Sequence, residues 1–264
     1  ELPHAEFVRD AVRSLSTRAM NRLGHGDHVQ AWQDVLACWR LGQLVGNGPT
    51  LTEAFVGIST RAGAMNATLA ILDSPDLPHE TAQEILRDLQ SLESRHSIVE
   101  SVNFAERLSL IDSGLRVTTG RLGGVGDPAA ASMKQLSAFD ANHLLQSTNA
   151  FFDRTAAVVA LNEWQIRDDE LDKLFSELDS STQKSWFDLV HATFSSAKRS
   201  QIIGNNFLQL TAPALRAAVD AHKRDECNLT LVRVAAALAI YRNEYGVYPD
   251  SLDQLTQADV LKEL

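Results

Sequence analysis

The chain has 264 residues, 44% hydrophobic and 22% charged, which is an ordinary globular composition for one large domain or two small ones. Its formal net charge of -10 and pI near 5.2 argue against nucleic acid or anionic membrane surfaces as partners, since both attract basic patches. Only 7 prolines and 14 glycines punctuate it, a spacing that favours long helices over many short strands.

The apolar run from Leu231 to Tyr241 contains Arg233 and falls short of the ~20 residues a membrane span needs, so no transmembrane segment is expected. Cys38 and Cys227 do not make a disulfide framework; each falls on an apolar helical face and is expected as a buried thiol. The chain begins at Glu1 rather than Met, which leaves room for a signal peptide or anchor ahead of it.

In chain order, residues 5–24 and 27–45 read as a helical hairpin turning at Gly24-His25-Gly26. Val8, Val12, Leu15, Ala19 and Leu23 line one helix; Ala31, Val35, Cys38, Leu41 and Val45 line the next. Gly24 is the expected helix stop and Asp27 the expected N-cap. Ala19 and Ala31 are spaced as in a tetratricopeptide unit, but no further copies recur near a period of about 34 residues. Gly46 to Pro49 is a turn, and Thr50 to Glu53 fits a capping box. Leu51, Phe55, Ile58, Ala62, Met65, Leu69 and Leu72 then follow at helical spacing. Ser74 to Pro78 breaks that helix, and Pro78 can open the next, which runs to about 93.

A helix from about 97 to 119 carries Phe104, Leu108, Ile111 and Leu115 on one face, and Gly120 to Pro128 is a loop. Helix returns over 137–162 with Leu145, Thr148, Phe152, Thr155 and Val159 inward. A short acidic helix over 168–179 turns Leu171, Leu174, Phe175 and Leu178 inward. Another runs from a cap at Ser180 through Trp186, Leu189 and Val190 to about 210. Pro213 then either opens the last long helix or kinks a continuous one.

That last helix is the expected centre of the core. Leu231, Val234, Ala235, Leu238, Tyr241 and Tyr245 recur at steps of three and four, and Leu229, Val232, Ala236 and Ile240 widen the face. Gly246 is expected to end the helix in left-handed geometry. Tyr248 and Pro249 fold the chain back, and Asp250 or Ser251 caps a final turn over 251–256. Tyr241, Tyr245, Gly246, Tyr248 and Pro249 therefore read as a structural clasp, with Tyr241 and Tyr245 largely buried. The expected fold is all-α, with about eight to ten helices. It is an irregular multi-helix bundle, or a short α-solenoid of helical hairpins, built around the long C-terminal helix. Residues 1–264 read as a single domain, divisible into 1–119 and 137–264 around the glycine-rich loop 120–136. Phe55, Leu69, Leu145, Phe152, Trp186 and Leu238 are expected in the core.

Motifs that carry chemistry are few. Gly120, Gly123, Gly124 and Gly126 invite a phosphate-binding reading, but no strand precedes them and no Gly-Lys-Ser/Thr follows, so an interhelical connection is expected. His25-Gly26-Asp27-His28 uses metal-ligand residue types without a helical histidine pair, so solvated turn residues are expected, with no metal and no other cofactor. Asp168 to Asp172 lacks the alternating ligands and glycine of a calcium loop and reads as an outer helix face. Asn142, Gln146, Asn149 and Asp153 fall on one stripe of the 137–162 helix. Three readings stay open there: an outward polar face, a network joined by Arg107 and Arg154, or a ligand or catalytic site that takes in Arg107. No nucleophile elbow, zinc-protease helix, Cys-x-x-Cys or dinucleotide fingerprint occurs, and no catalytic residue is nominated. The sequons at Asn66 and Asn228 fall inside expected helices.

Ala237, Leu238, Tyr241, Arg242, Gly246, Tyr248, Pro249, Leu252 and Leu255 form a pattern that resembles the helix end and Tyr-Pro motif of type II secretion pseudopilins. The match covers Leu229 to Leu255, and it departs from that family in the long helical stretch that comes first. The turn from Leu44 to Leu51, with the same Tyr-Pro ending, is similar to a family of planctomycete helical proteins of unassigned activity. These resemblances imply a bacterial, exported or envelope-associated setting and no cofactor. The expected function is a non-enzymatic helical scaffold or protein-interaction module with a protein partner. The alternative is a helical ligand-binding protein or hydrolase-like enzyme using Asn142, Gln146, Asn149 and Asp153.

Overall fold

The computed structural model describes residues 3–92, 98–118, 141–161, 163–182 and 195–257. Of the described residues 87% are helical and none is in a strand, as the sparse glycines and prolines predict. The elements are α1 (Pro3–Gly24), α2 (His28–Gly46), α3 (Leu51–Leu72), α4 (His79–Ser91), α5 (Ile98–Glu100), a π-helical stretch (Ser101–Glu106), α6 (Arg107–Thr118), α7 (Ala141–Val159), α8 (Trp164–Thr182), α9 (Ser196–Tyr245) and α10 (Asp253–Gln257). The glycine loop 120–136 and the expected core residue Trp186 lie outside the described residues.

The chain forms two compact units. The first comprises Glu1–Gly48, Thr52–His96 and Asp220–Leu264; the second comprises Pro49–Leu51 and Ser97–Val219. The division does not follow the glycine-rich loop. The C-terminal segment belongs with the N-terminal helices, and α9 contributes to both units.

In the first unit α1 and α2 form the expected hairpin, closed by a Schellman turn. Asp27 N–H donates to the Arg22 carbonyl (3.0 Å) and Gly26 N–H to the Leu23 carbonyl (2.9 Å). Gly26, at φ 80°, is the left-handed residue, two positions after the expected Gly24. Asp27 caps α2 as expected by accepting from Gln30 N–H at 3.2 Å. The next crossing, α2 on α3, is set by glycine. A Cβ on Gly57 would stand 2.4 Å from Gly46 Cα and 2.6 Å from the Gly42 carbonyl oxygen, so the two backbones meet where no side chain fits.

The first unit's core gathers Trp32, Val35, Ile71, Ile85, Leu89, Val232, Ala236, Ile240 and Leu255. The indole N–H groups of Trp32 and Trp39 are not stranded: they donate to Asp88 (2.8 Å) and Thr68 (3.0 Å). By length and composition α3 is apolar enough to cross a membrane, with a mean hydropathy of 1.2 over its most apolar window. It nonetheless buries Ala64, Ala67, Ile71 and Leu72 in this core.

The second unit is built on α7, which packs against the π-helical stretch, α6 and α8. Thr148, Phe152, Thr155 and Val159 are buried as expected, as are Leu171, Leu174 and Leu178 of α8. Helix α9 is continuous through Pro213, so the proline sits inside a helix rather than opening one.

Several side chains point elsewhere than the periodicity implies. Phe104 is 66% exposed, and Leu108 and Leu115 also face solvent, whereas Ile98, Ser101, Val102 and Leu110 are buried. The π-helical turn at Ser101–Glu106 explains the change, because its wider winding displaces every later position around the axis. On α9, Leu231 is 62% exposed and Leu238 half-buried, while Val232, Ala236, Ala237, Ala239 and Ile240 are buried. The inward stripe is the one carrying the smaller residues, which lets α9 approach its neighbours closely. Phe55, Leu69 and Leu145 are likewise half-buried rather than fully in the core.

Candidate functional site

The polar stripe of α7 is only partly assembled. Asn149 and Asp153 converge on Arg107, the first residue of α6, while Asn142 and Gln146 are exposed farther along the helix. Arg107 Nη2 donates to Asp153 Oδ1 (2.5 Å) and to Asn103 Oδ1, and Nη1 reaches Asn149 Oδ1 at 3.4 Å. Its guanidinium carbon lies 5.9 Å from the Phe152 ring centroid, a cation–π distance. The Arg107 side chain is 17% exposed against 68% for Asp153, so the arginine roots inward and the carboxylate meets it from the solvent side. Two buried polar atoms here lack a hydrogen-bond partner: Arg107 Nε and the hydroxyl of Thr148. Arg154, the other candidate for this network, instead pairs outward with Glu177 at 2.7 Å, and holds that carboxyl below its ordinary range.

Chemically this is a charge-neutralised bracket between two helices. Its cation is already engaged by a carboxylate and two amides, which leaves little attraction for an incoming anion. Asn103 joins the bracket from the turn before Arg107, at the four-residue separation that puts side chains next to one another on a helix.

The Tyr-Pro ending frames the second candidate. Gly246 has φ 74° and its N–H donates to the Arg242 carbonyl at 2.8 Å, the left-handed helix stop expected. Tyr241 is half-buried and its ring stands 4.4 Å from that of Tyr245, but Tyr245 is 51% exposed, contrary to the expectation of burial. The reason lies in the rotation of α9: the buried stripe runs through Val232, Ala236 and Ile240, which carries position 245 outward. Tyr248, 54% exposed, accepts from Arg242 Nη1 (2.9 Å). Arg242 Nη2 donates to the carbonyls of Leu72 and Ser74, both at 3.2 Å, so one arginine fastens the end of α3 to the Tyr-Pro turn.

Beside that turn lies an open groove of about 450 Å³. Leu69, Ala70, Leu72 and Asp73 of α3 and the following residue form one wall; Ala235, Leu238 and Ala239 of α9 form the other, and Tyr248 stands at the margin. Apart from Asp73 and the tyrosine hydroxyl the lining is aliphatic, and it is continuous along α9 with exposed Leu231 through the steps 231, 235, 238. Val247 and Leu252 add exposed apolar surface to the same C-terminal turn.

Other candidate residues resolve into structure. His28 is buried rather than solvated, its Nε2 2.9 Å from Ser74 Oγ, because the first turn of α2 packs under the α3–α4 connection. Among the described residues no three His, Cys, Asp or Glu side chains gather as a metal site. Cys38 is buried and its thiol pKa is pushed up by that burial, whereas Cys227 is exposed; the sequence expectation of two buried thiols holds for one. Cys227 lies on the solvent side of α9 because the inward stripe is rotated away from it. Set against protein-family models, curated proteins and solved structures, the chain matches none.

Proposed function

We propose that the protein is a non-enzymatic helical scaffold that engages a protein partner through the groove between α3 and α9. The observation that carries this reading is the groove itself: an open, largely apolar trough with half-exposed Tyr248 at its margin and exposed Leu231 and Val247 on the adjoining helix and turn. Tyrosine, the residue type of Tyr248 at that margin, is enriched at protein interfaces. The resemblance of the ending to pseudopilins supports an exported or envelope-associated setting for that partner.

The second reading, a ligand-binding protein or hydrolase, is favoured by the orphaned Thr148 hydroxyl and Arg107 Nε beside Asn149 and Asp153. It is the weaker of the two, since Arg107 is already held by Asp153, Asn103 and Asn149.

A photoreactive phenylalanine analogue placed at Tyr248 tests the first reading in the native cell. One discrete covalent adduct with another protein, lost when Ala70→Arg fills the groove, is the expected result. Crosslinks confined to the chain itself would sink the reading.

A further inference from the structure

We infer that the partner enters this groove as an amphipathic helix with a small-to-medium aliphatic face and basic flanks. The inference rests on the reading above and gives the partner its chemistry.

The shape of the groove comes first. Both walls are helices whose main-chain groups are bonded within the helix, so an extended peptide laid here finds no strand edge to pair with. A segment that satisfies its own backbone meets no such penalty, and that segment is a helix. Ala70 on one wall and Ala235 and Ala239 on the other leave recesses between Leu69, Leu72 and Leu238. Such alternation of small and large residues accepts the side-chain ridges of a third helix. The strip from Leu231 to Leu238 spans two helical turns, about 10 Å at 1.5 Å per residue, a length that seats about two turns of a second helix.

Charge then selects the flanks. The segments 69–80 and 231–256, which contain the lining residues and Leu231, carry Asp73, Asp76, Glu80, Glu244, Asp250 and Asp253 against Arg233 and Arg242, and Arg233 is held by the Leu89 and Leu92 carbonyls. Arg242 is already engaged by the Leu72 and Ser74 carbonyls and the Tyr248 hydroxyl. Asp73 lies in the wall itself. A second copy of the chain would bring the same carboxylates against themselves, and an anionic lipid surface would meet the same repulsion. Lys or Arg flanking an apolar face complements the rim and speeds encounter.

The test uses two synthetic helical peptides with the same leucine face, one flanked by Lys and the other by Glu, each carrying a photoreactive leucine. Binding is read by fluorescence anisotropy at physiological salt, and crosslink sites by mass spectrometry. The Lys peptide is expected to bind at least tenfold more tightly than the Glu peptide and to crosslink to Leu69, Leu238 or Tyr248. Asp73→Lys, which leaves the aliphatic walls intact, should cut its affinity at least tenfold, as should Ala70→Arg at an exposed wall position. Equal binding of the two peptides, or crosslinks scattered over the surface, overturns the inference. If neither peptide enters the groove while the Tyr248 probe still captures a protein there, the partner class fails and the scaffold reading stands. Loss of a native homodimer on Ala70→Arg, read by light scattering, would make the occupant a second copy and overturn the inference as well.

Discussion

Arg233 donates to the carbonyl of Leu89 at 3.1 Å across 144 residues of sequence, and with its other arm to the carbonyl of Leu92 at 3.0 Å. These are carbonyls at the C-terminal end of α4, where the helix has no internal donors left and its dipole is negative. The guanidinium thus closes a helix end from a neighbouring helix. Burial pushes its pKa down, yet arginine remains charged at any ordinary pH. Arg233→Met should cost about 1–3 kcal/mol in urea unfolding, because two acceptors lose a charged donor. Lysine should not restore the loss, since one ammonium cannot reproduce the two-armed geometry. A change below about 0.5 kcal/mol would mean that water replaces the arginine at no cost.

Two glycines of α3 should respond oppositely to the same change. At Gly57 a methyl group collides with the backbone of Gly46 and Gly42, which cannot rotate away, so Gly57→Ala should destabilise the first unit by about 1–3 kcal/mol. At Gly63 a Cβ meets nothing within 4 Å, and Gly63→Ala should stabilise the helix by up to about 1 kcal/mol. Thermal melts of the pair, with far-UV circular dichroism as the readout, check both signs.

The fold class was legible because the chain is so evenly periodic. The caps were legible too: Asp27 and Gly246 behave as their chemistry dictates. Rotation of the helices was harder to read. Around Leu231 to Tyr241 nearly every position is apolar, so periodicity cannot say which stripe faces inward, and the smaller residues took the interior. The π-helical turn defeated the reading of Phe104 for a different reason, since a local winding change leaves no mark in hydrophobic spacing. Of the polar stripe, Asn149 and Asp153 were recoverable by spacing, and Asn103 stands one helical turn before Arg107, a contact that spacing alone permits.

Thiol chemistry should separate the two cysteines. Cys227 is exposed and should react with iodoacetamide in the native protein at about pH 8. Burial raises the Cys38 pKa, so its reactive thiolate is scarcer in the folded state than in the unfolded chain until the pH passes the raised value. Mass spectrometry should find one modification in native protein and two in denaturant. Two fast native modifications would mean that the α1–α2 contact opens readily.

The helix stop at Gly246 is a conformational requirement without a steric one, because its φ is 74° and a Cβ there would touch nothing within 4 Å. Gly246→Val should therefore destabilise by roughly 1–2 kcal/mol through backbone strain alone. Tyr245→Ala removes a half-exposed ring stacked on Tyr241 and should cost less, about 0.5–1 kcal/mol. Chemical denaturation of both variants checks the order; a larger loss at Tyr245 would place its ring in the core.

The first unit draws its core from both sides of a long intervening stretch, and that has a consequence for how the protein is made. Trp32, Val35, Ile71 and Ile85 leave the ribosome early, but Val232, Ala236, Ile240 and Leu255, which cover them, emerge only after residues 97–219. At roughly 5–20 residues per second that interval lasts on the order of ten seconds. Through it the nascent α1–α4 segment displays an unfilled apolar surface, a natural client for a holdase. Folding must then close loops as long as the one that joins Arg242 to the Leu72 carbonyl, 170 residues away in sequence, which places an all-helical protein among the slower folders rather than with the local bundles.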